Sequence, residues 1–377
     1  MSTRFKELDS LRGLAALAVV FGHLFQTFPI ADAPIRLLNP ASWLDPVTYL
    51  RYSPLRVFVS GRSAVIMFFI LSGFVLSLPY IKGKAPRYWS YIIKRFCRIY
   101  IPFACAIFFA SFLYSEVDPR PIADLSNWFN ARSWFSELTP EMIARHLLMT
   151  GAMQDMQINN VMWSLVHEMR ISIIFPVIAL VVLKRPAHAL ALFFAIWFVS
   201  EFVADPLLDD DIWGSLNDTI GYTFFFAVGA TLALKRDWLI EIARGLDRRT
   251  VATIMVISIC LLAIPAGVPA AEFLFGIGSA GIIVLALSRQ AFQKALHFST
   301  IEGLGRVSYS LYLFHLPILL FVFTDLYGKA NPFLLAGAIL LIALLVAEIA
   351  YRLIEGPSIL LGRRLTRGET TPAPSLK

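Results

Sequence analysis

Several side chains able to do proton or phosphate chemistry stand in stretches otherwise too apolar to carry them. His23 lies in LAALAVVFGHLFQ, Glu168 and Arg170 in MWSLVHEMRISIIFP, and Ser308, Tyr312 and His315 in VSYSLYLFHLP. A charged group at membrane depth costs about 2.5–3.5 kcal/mol on insertion scales, so such groups are functional candidates by default. Imidazole is the side chain matched to taking a proton near neutral pH. Arginines stand elsewhere: Arg12 eleven residues before His23, and Arg95 and Arg98 in KRFCRIYIP. Guanidinium groups grip phosphate bidentately. Each residue also has a plainer reading. His23, Tyr312 and His315 could hydrogen-bond helices together. Arg12, Arg95 and Arg98 could be anchors at a membrane mouth. Glu168 and Arg170 could be charges buried between helices.

Spacing adds to these identities. Eleven helical steps of about 100° return to within roughly 20° of the starting face, about 16 Å further along the axis. Arg12 and His23 therefore share one side of a helix. Ser308, Tyr312 and His315 follow the i, i+4, i+7 stripe of one face. Ser164 is one turn from Glu168, whereas Arg170, two residues on, points elsewhere, so Glu168 and Arg170 each need other partners.

The elements that position these groups are membrane helices. The 377 residues are 58% hydrophobic, 16% charged and include 31 Phe, against about 45–50% and about 25% in soluble domains. This excludes soluble, disordered and fibrous classes. Ten segments approach the roughly 20 apolar residues that a bilayer needs: 11–30, 63–80, 99–114, 161–183, 187–204, 217–234, 250–269, 271–288, 307–324 and 332–354. The seventh and eighth are split only near Pro265–Glu272 and should form a tight hairpin. With the N-terminus inside, 24 Lys and Arg fall on inner segments and 8 on outer ones. The positive-inside rule then places both termini in the cytoplasm. The expected fold is all-α, a polytopic integral membrane protein of about ten transmembrane helices. A polar tail over residues 357–377 is expected to be disordered.

Ala31-Asp32-Ala33 resembles a signal-peptide cleavage site, but Pro34 would follow the cut and the apolar stretch is long enough to span. The longest outer loop, 115–160, carries Trp128, Trp134 and Phe135, with a short interfacial helix expected over 141–149. The net charge of +7 goes to the inner loops, so no nucleic-acid partner is expected. Cys97, Cys105 and Cys260 show neither metal nor disulfide spacing, and no metal site is expected. Counting from the outer ends, His23 and Glu168 sit at matching depth, each seven residues in. Cations at the inner mouth and His23, Glu168 and His315 in the outer half describe a column suited to a phosphate-bearing donor inside and an acceptor outside.

The chain resembles the membrane-bound acyltransferase family 3, integral-membrane enzymes that O-acylate surface carbohydrates and related acceptors. The resemblance rests on Glu7-Leu-Asp-Ser-Leu-Arg-Gly with His23 eleven residues after Arg12, FFILSGFVLS at 68–77, RFCRIYIP at 95–102, WSLVHE at 163–168 and YSLYLFHLP at 309–317, in that order. It implies a transmembrane acyltransferase domain over residues 1–356, in the inner membrane. It implies acyl-CoA, acetyl-CoA in the first instance, as co-substrate with no permanently bound cofactor, and a carbohydrate or glycolipid acceptor. His23 is implied as the essential catalytic residue, with Arg12, Arg95 and Arg98 as important arginines. In this reading Glu168, or another acceptor, orients His23, and Ser164, Arg170, Tyr312 and His315 are supporting residues. Met169-Arg170-Ile171-Ser172 departs from the aromatic or neutral residues that many members carry there. The extracellular hydrolase-like domain of some longer members does not follow the tenth segment, which leaves room for a periplasmic partner protein. The competing class is a proton-coupled secondary transporter using His23, Glu168 and His315 as a relay. Against it, helices 1–5 and 6–10 show no repeated half.

Overall fold

The computed structural model describes residues 5–31, 46–118, 120–134 and 136–367. Sixteen α-helices run through them: α1 Lys6–Thr27, α2 Pro46–Tyr52, α3 Gly61–Ile81, α4 Tyr88–Ser115, α5 Asn127–Arg132, α6 Pro140–Leu147, α7 Trp163–Lys184, α8 Pro186–Val199, α9 Ile212–Leu234, α10 Arg236–Gly245, α11 Arg248–Leu262, α12 Ala271–Ser288, α13 Gln290–Leu296, α14 Ser299–Leu326, α15 Pro332–Ala350 and α16 Gly356–Leu365. The described residues form no strand, only an isolated bridge between Tyr327 and Ala330. All ten apolar segments contain a helix, although the seventh, expected over 250–269, is helical only as far as Leu262. Eight helical stretches are long and apolar enough to cross a bilayer. The other two segments are α9, diluted by Asn217 and Asp218, and α11, only 15 residues long.

The outward surface is that of a membrane protein. On α15, Leu341 and Leu345 are 69% and 62% exposed, one turn apart, while Ala343, Ala347 and Ala350 are buried. Small residues inward and leucines outward is the pattern expected where the solvent is lipid and helices gain by close approach. The chain is a multi-pass, all-α membrane protein.

It divides into two compact units. The first comprises Met1–Phe68, Phe109–Thr139 and Leu239–Glu348. Its axis is the pair α1 and α14, which run parallel. Lys6 bridges to Glu302 at 3.2 Å at one end, and Phe28 packs on Phe323 at the other. Between them Gly13 and Gly305 touch backbone to backbone, and a Cβ on either would collide with the opposite helix. Ser10 Oγ donates to the Leu296 carbonyl at 2.7 Å, fixing the register. The expected hairpin is present, with Gly278 of α12 packed against the Ser258 carbonyl of α11.

The second unit comprises Phe69–Phe108, Pro140–Trp238 and Ile349–Lys377. Here Gly73 of α3 and Gly229 of α9 allow the same kind of contact. Ser200 Oγ donates to the Asn217 carbonyl at 2.9 Å, and Asn217 Nδ2 donates to the Ser200 carbonyl at 3.2 Å, tying the π-turn after α8 to α9.

The expectation of a disordered tail from residue 357 is corrected as far as Leu365, where α16 is helical. Pro357 suits a helix start, and Gly362 packs against Cys97 and Lys94 of α4. Residues 368–377 lie outside the described residues, as do Asp32 and Ala33 of the cleavage-like triplet and Phe135. The interfacial helix expected over 141–149 is α6, two residues shorter at its end. Helix α5, just after Ser126, was not foreseen.

Candidate active site

His23 and His315 meet in the first unit. Each lies ten residues beyond the glycine at which its helix crosses the other. Ten residues of helix advance about 15 Å in both chains, so the two rings arrive at one level. His23 Nδ1 is 2.8 Å from His315 Nε2, and the rings are near-coplanar at 13°. His315 is 1% exposed, whereas His23 is only half-buried. The pair therefore has a buried member and one that keeps accessible surface.

The hydrogen bonds fix which nitrogens carry protons. His315 Nδ1 stands 3.0 Å from the Leu311 carbonyl and 2.9 Å from the Tyr312 carbonyl. Carbonyls only accept, so this nitrogen is protonated. In a neutral imidazole the other nitrogen is then an acceptor. His315 Nε2 accepts from His23 Nδ1–H, and the lone pair of His23 is left on Nε2. That nitrogen has no hydrogen-bond partner among the described residues. The arrangement presents a bare basic nitrogen on an oriented ring, as a general base requires.

Trp128 stacks on His23, with centroids 5.1 Å apart and planes at 23°. It comes from α5, which is fastened to the end of α1. Ser126 caps α5 by accepting from the Phe129 N–H at 3.0 Å, and its own N–H donates to the Thr27 carbonyl at 3.0 Å. Thr27 Oγ1 donates to the His23 carbonyl at 2.8 Å. Phe129 is fully buried, its ring edge-on to Phe323. Tyr312 is buried beside His315 and takes Phe68 edge-to-face at 5.9 Å. Arg12 is half-buried, one residue before the glycine crossing.

Glu168 makes contacts inside the second unit. Its Oε1 accepts from Arg95 Nη2 at 2.8 Å and from Ser72 Oγ at 3.1 Å. Arg95 is 7% exposed, and its Nε donates to Ser172 Oγ at 3.0 Å. Glu168, half-buried, and Arg95, buried, thus form an ion pair between α7 and α4. Within the first unit the side chain hydrogen-bonded to His23 is His315, an acceptor that can fix its tautomer. Arg95, expected to hold donor phosphate, pairs through Nη2 with the Glu168 carboxylate.

As the helical spacing required, Arg170 and Glu168 have separate partners. Arg170 Nη1 donates to Ser215 Oγ at 2.9 Å and Thr219 Oγ1 at 3.1 Å, and Nη2 donates to the Thr150 carbonyl. These bonds brace α7 against α9. His167 joins the network through Thr219 at 2.8 Å, and Ser164 is buried in the same helix. Arg98, half-buried, has neither hydrogen bond nor ion pair among the described residues. No group of three or more His, Cys, Asp or Glu side chains able to hold a metal occurs among the described residues.

The structure therefore joins His23 to His315 and Trp128, and Glu168 to Arg95. Trp128 as a partner of His23 had no signal in the sequence beyond an aromatic residue following a capping serine. The profile of a family described as an acyltransferase domain matches residues 5–352. No curated protein and no solved structure matches the chain.

Proposed function

The chain belongs to the membrane acyltransferase family 3, and from that premise we propose that it moves an acyl group from acyl-CoA to a hydroxyl of a cell-envelope carbohydrate or glycolipid, with His23 as general base. Acetyl is the acyl group and the inner membrane the location in this reading. The observation that carries it is a His23 ring whose Nδ1–H is held by His315 and whose Nε2 has no hydrogen-bond partner among the described residues. An acceptor hydroxyl is far too weak an acid to attack a thioester unaided. As its oxygen bonds to the acyl carbon, its proton passes to His23 Nε2, and the carbonyl π pair moves onto oxygen. Collapse of the tetrahedral intermediate breaks the carbon–sulfur bond. The departing CoA thiolate takes the proton from His23, leaving an ester and free CoA-SH.

His315 keeps its proton on Nδ1, against two carbonyls, throughout. It remains the acceptor for His23 Nδ1–H, and that bond strengthens as imidazolium forms. Arg98 and Arg12 are the guanidinium groups assigned to the CoA phosphates. Arg95 supports the second unit through Glu168.

The test is release of CoA thiol from acetyl-CoA by purified protein in lipid vesicles, with His23→Ala alongside. Thiol release abolished by the substitution supports the reading. Full activity of His23→Ala removes the base. Proton-coupled solute uptake without CoA binding moves the protein to the transport class.

A further inference from the structure

We infer that Arg132 is a catalytic residue of this reaction, its guanidinium receiving the negative charge that develops on the acyl carbonyl oxygen beside His23. The inference rests on the acyl-transfer reading above and extends it to a residue outside the stretches that suggested it.

Arg132 and Trp128 are four residues apart on α5, and residues at that spacing share a helix face. Trp128 lies against the His23 ring. The same face therefore directs Arg132 to the reaction centre, and its charge is close enough to be felt at His23. The helix holding it is fixed. Ser126 Oγ donates to the Gln26 carbonyl at 2.5 Å. Asn130 accepts from the Ile122 N–H at 2.8 Å and donates to the Ile122 carbonyl at 3.0 Å, closing the loop on itself.

Within this fixed frame Arg132 is half-buried and has neither hydrogen bond nor ion pair among the described residues. Other guanidinium groups of the same unit are matched by a carboxylate: Arg62 by Glu272 and Arg306 by Glu348. A cation with no counter-charge among the described residues, beside a base that must itself become a cation, is an unfavourable placement. It becomes favourable when an anion forms next to both, and the tetrahedral oxyanion is such a charge. A guanidinium already in place needs no reorganisation when that charge appears.

The experiment uses the full chain in lipid vesicles and reads CoA-thiol release from acetyl-CoA with water as acceptor. Arg132→Gln should lower kcat by about 10²-fold or more, the scale of losing one oxyanion donor, with KM for acetyl-CoA within about threefold, because the interaction exists only in the transition state. Arg132→Lys should retain more activity than Arg132→Gln, and added guanidinium ion should partly restore the latter. A packing role would give neither rescue. Arg132→Gln turning over within about threefold of the unsubstituted protein, or a loss confined to KM, overturns the inference. So does an Arg132→Lys protein that accumulates normally yet is as inactive as Arg132→Gln. His23→Ala separates the two levels. If it abolishes thiol release while Arg132→Gln is active, only this inference falls. If the unsubstituted protein releases no thiol, or His23→Ala leaves release unchanged, the acyl-transfer reading falls with it.

Discussion

Replacing His315 tests the pair of histidines most directly. In the resting protein the His23–His315 bond is between neutral groups, worth about 1 kcal/mol net. When His23 takes a proton the same bond becomes charge-assisted, worth about 1.5–3 kcal/mol. The difference of roughly 0.5–2 kcal/mol is available only in the transition state, and about 1.4 kcal/mol is tenfold in rate. His315→Ala also frees the His23 ring to carry its proton on Nε2, the nitrogen that must be bare. Together these predict a fall in kcat of about 10- to 100-fold with KM for acyl-CoA nearly unchanged. The drop should stop short of the ~10⁴-fold associated with neutralising a carboxylate orienter, because His315 brings no charge. His315→Gln is the companion variant. Its amide oxygen can occupy the place of Nε2 and accept from His23, so it should recover part of the loss. The assay is initial-rate CoA-thiol release by protein of verified monodispersity. His315→Ala turning over within about threefold of the unsubstituted protein would falsify the orienting role.

Three further outcomes follow from the packing. Glu168→Gln should act on stability before chemistry, since it leaves Arg95 buried without its counter-ion at a cost of about 3–5 kcal/mol; yield and thermal midpoint should fall, and Arg95→Met in the same chain should recover part of both. Gly13→Val should separate α1 from α14, because even a Cβ there collides with Gly305; activity should drop by about 10²-fold if the His23–His315 contact opens by about 1 Å, and an enzyme of normal rate would dissociate the crossing from the site. His146, on α6 outside the candidate spans, is 2% exposed with both ring nitrogens lacking hydrogen-bond partners among the described residues, and burial holds its pKa down to about 3. The unfolded chain protonates it near pH 6.5, so the unfolded state binds more protons between about 6.5 and about 3, and stability falls as pH is lowered through that window. From about pH 7.5 to about pH 5 the loss from this group is about 2 kcal/mol; His146→Phe should flatten that part of the melting-temperature profile, and an unchanged profile would contradict it.

Helices were legible in the sequence because apolar length alone demands them in a bilayer; every one of the ten segments holds a helix, the seventh ending early at Leu262. Which helices adjoin within a unit was less legible, because neighbours are set by where backbones can touch. Gly13 and Gly305 carry that information, but a glycine in an apolar helix is equally compatible with facing lipid. The stripe of Tyr312 and His315 was readable as one face, while its partner was not. Helix α5 was invisible for another reason. It has six residues and no apolar periodicity, and it is held by bonds from Ser126 to Gln26 and Thr27, distant in sequence.

A histidine orienting a histidine suits this position on physical grounds. A carboxylate in the same place would also orient the ring and would hold the imidazolium more strongly. At membrane depth it must first be desolvated, at a cost of several kcal/mol unless a cation is already paired with it. Once paired, as Glu168 is with Arg95, its charge is spent on that partner and contributes little to a second. A neutral imidazole whose Nδ1–H rests on two backbone carbonyls avoids that cost. It has an acceptor on its other edge and no net charge to neutralise. The helix backbone at Leu311 and Tyr312 does the work of fixing the tautomer, and it does so without a further titratable group. The base then depends on the distance between two helices, and the contact of Gly13 with Gly305, ten residues below, sets that distance.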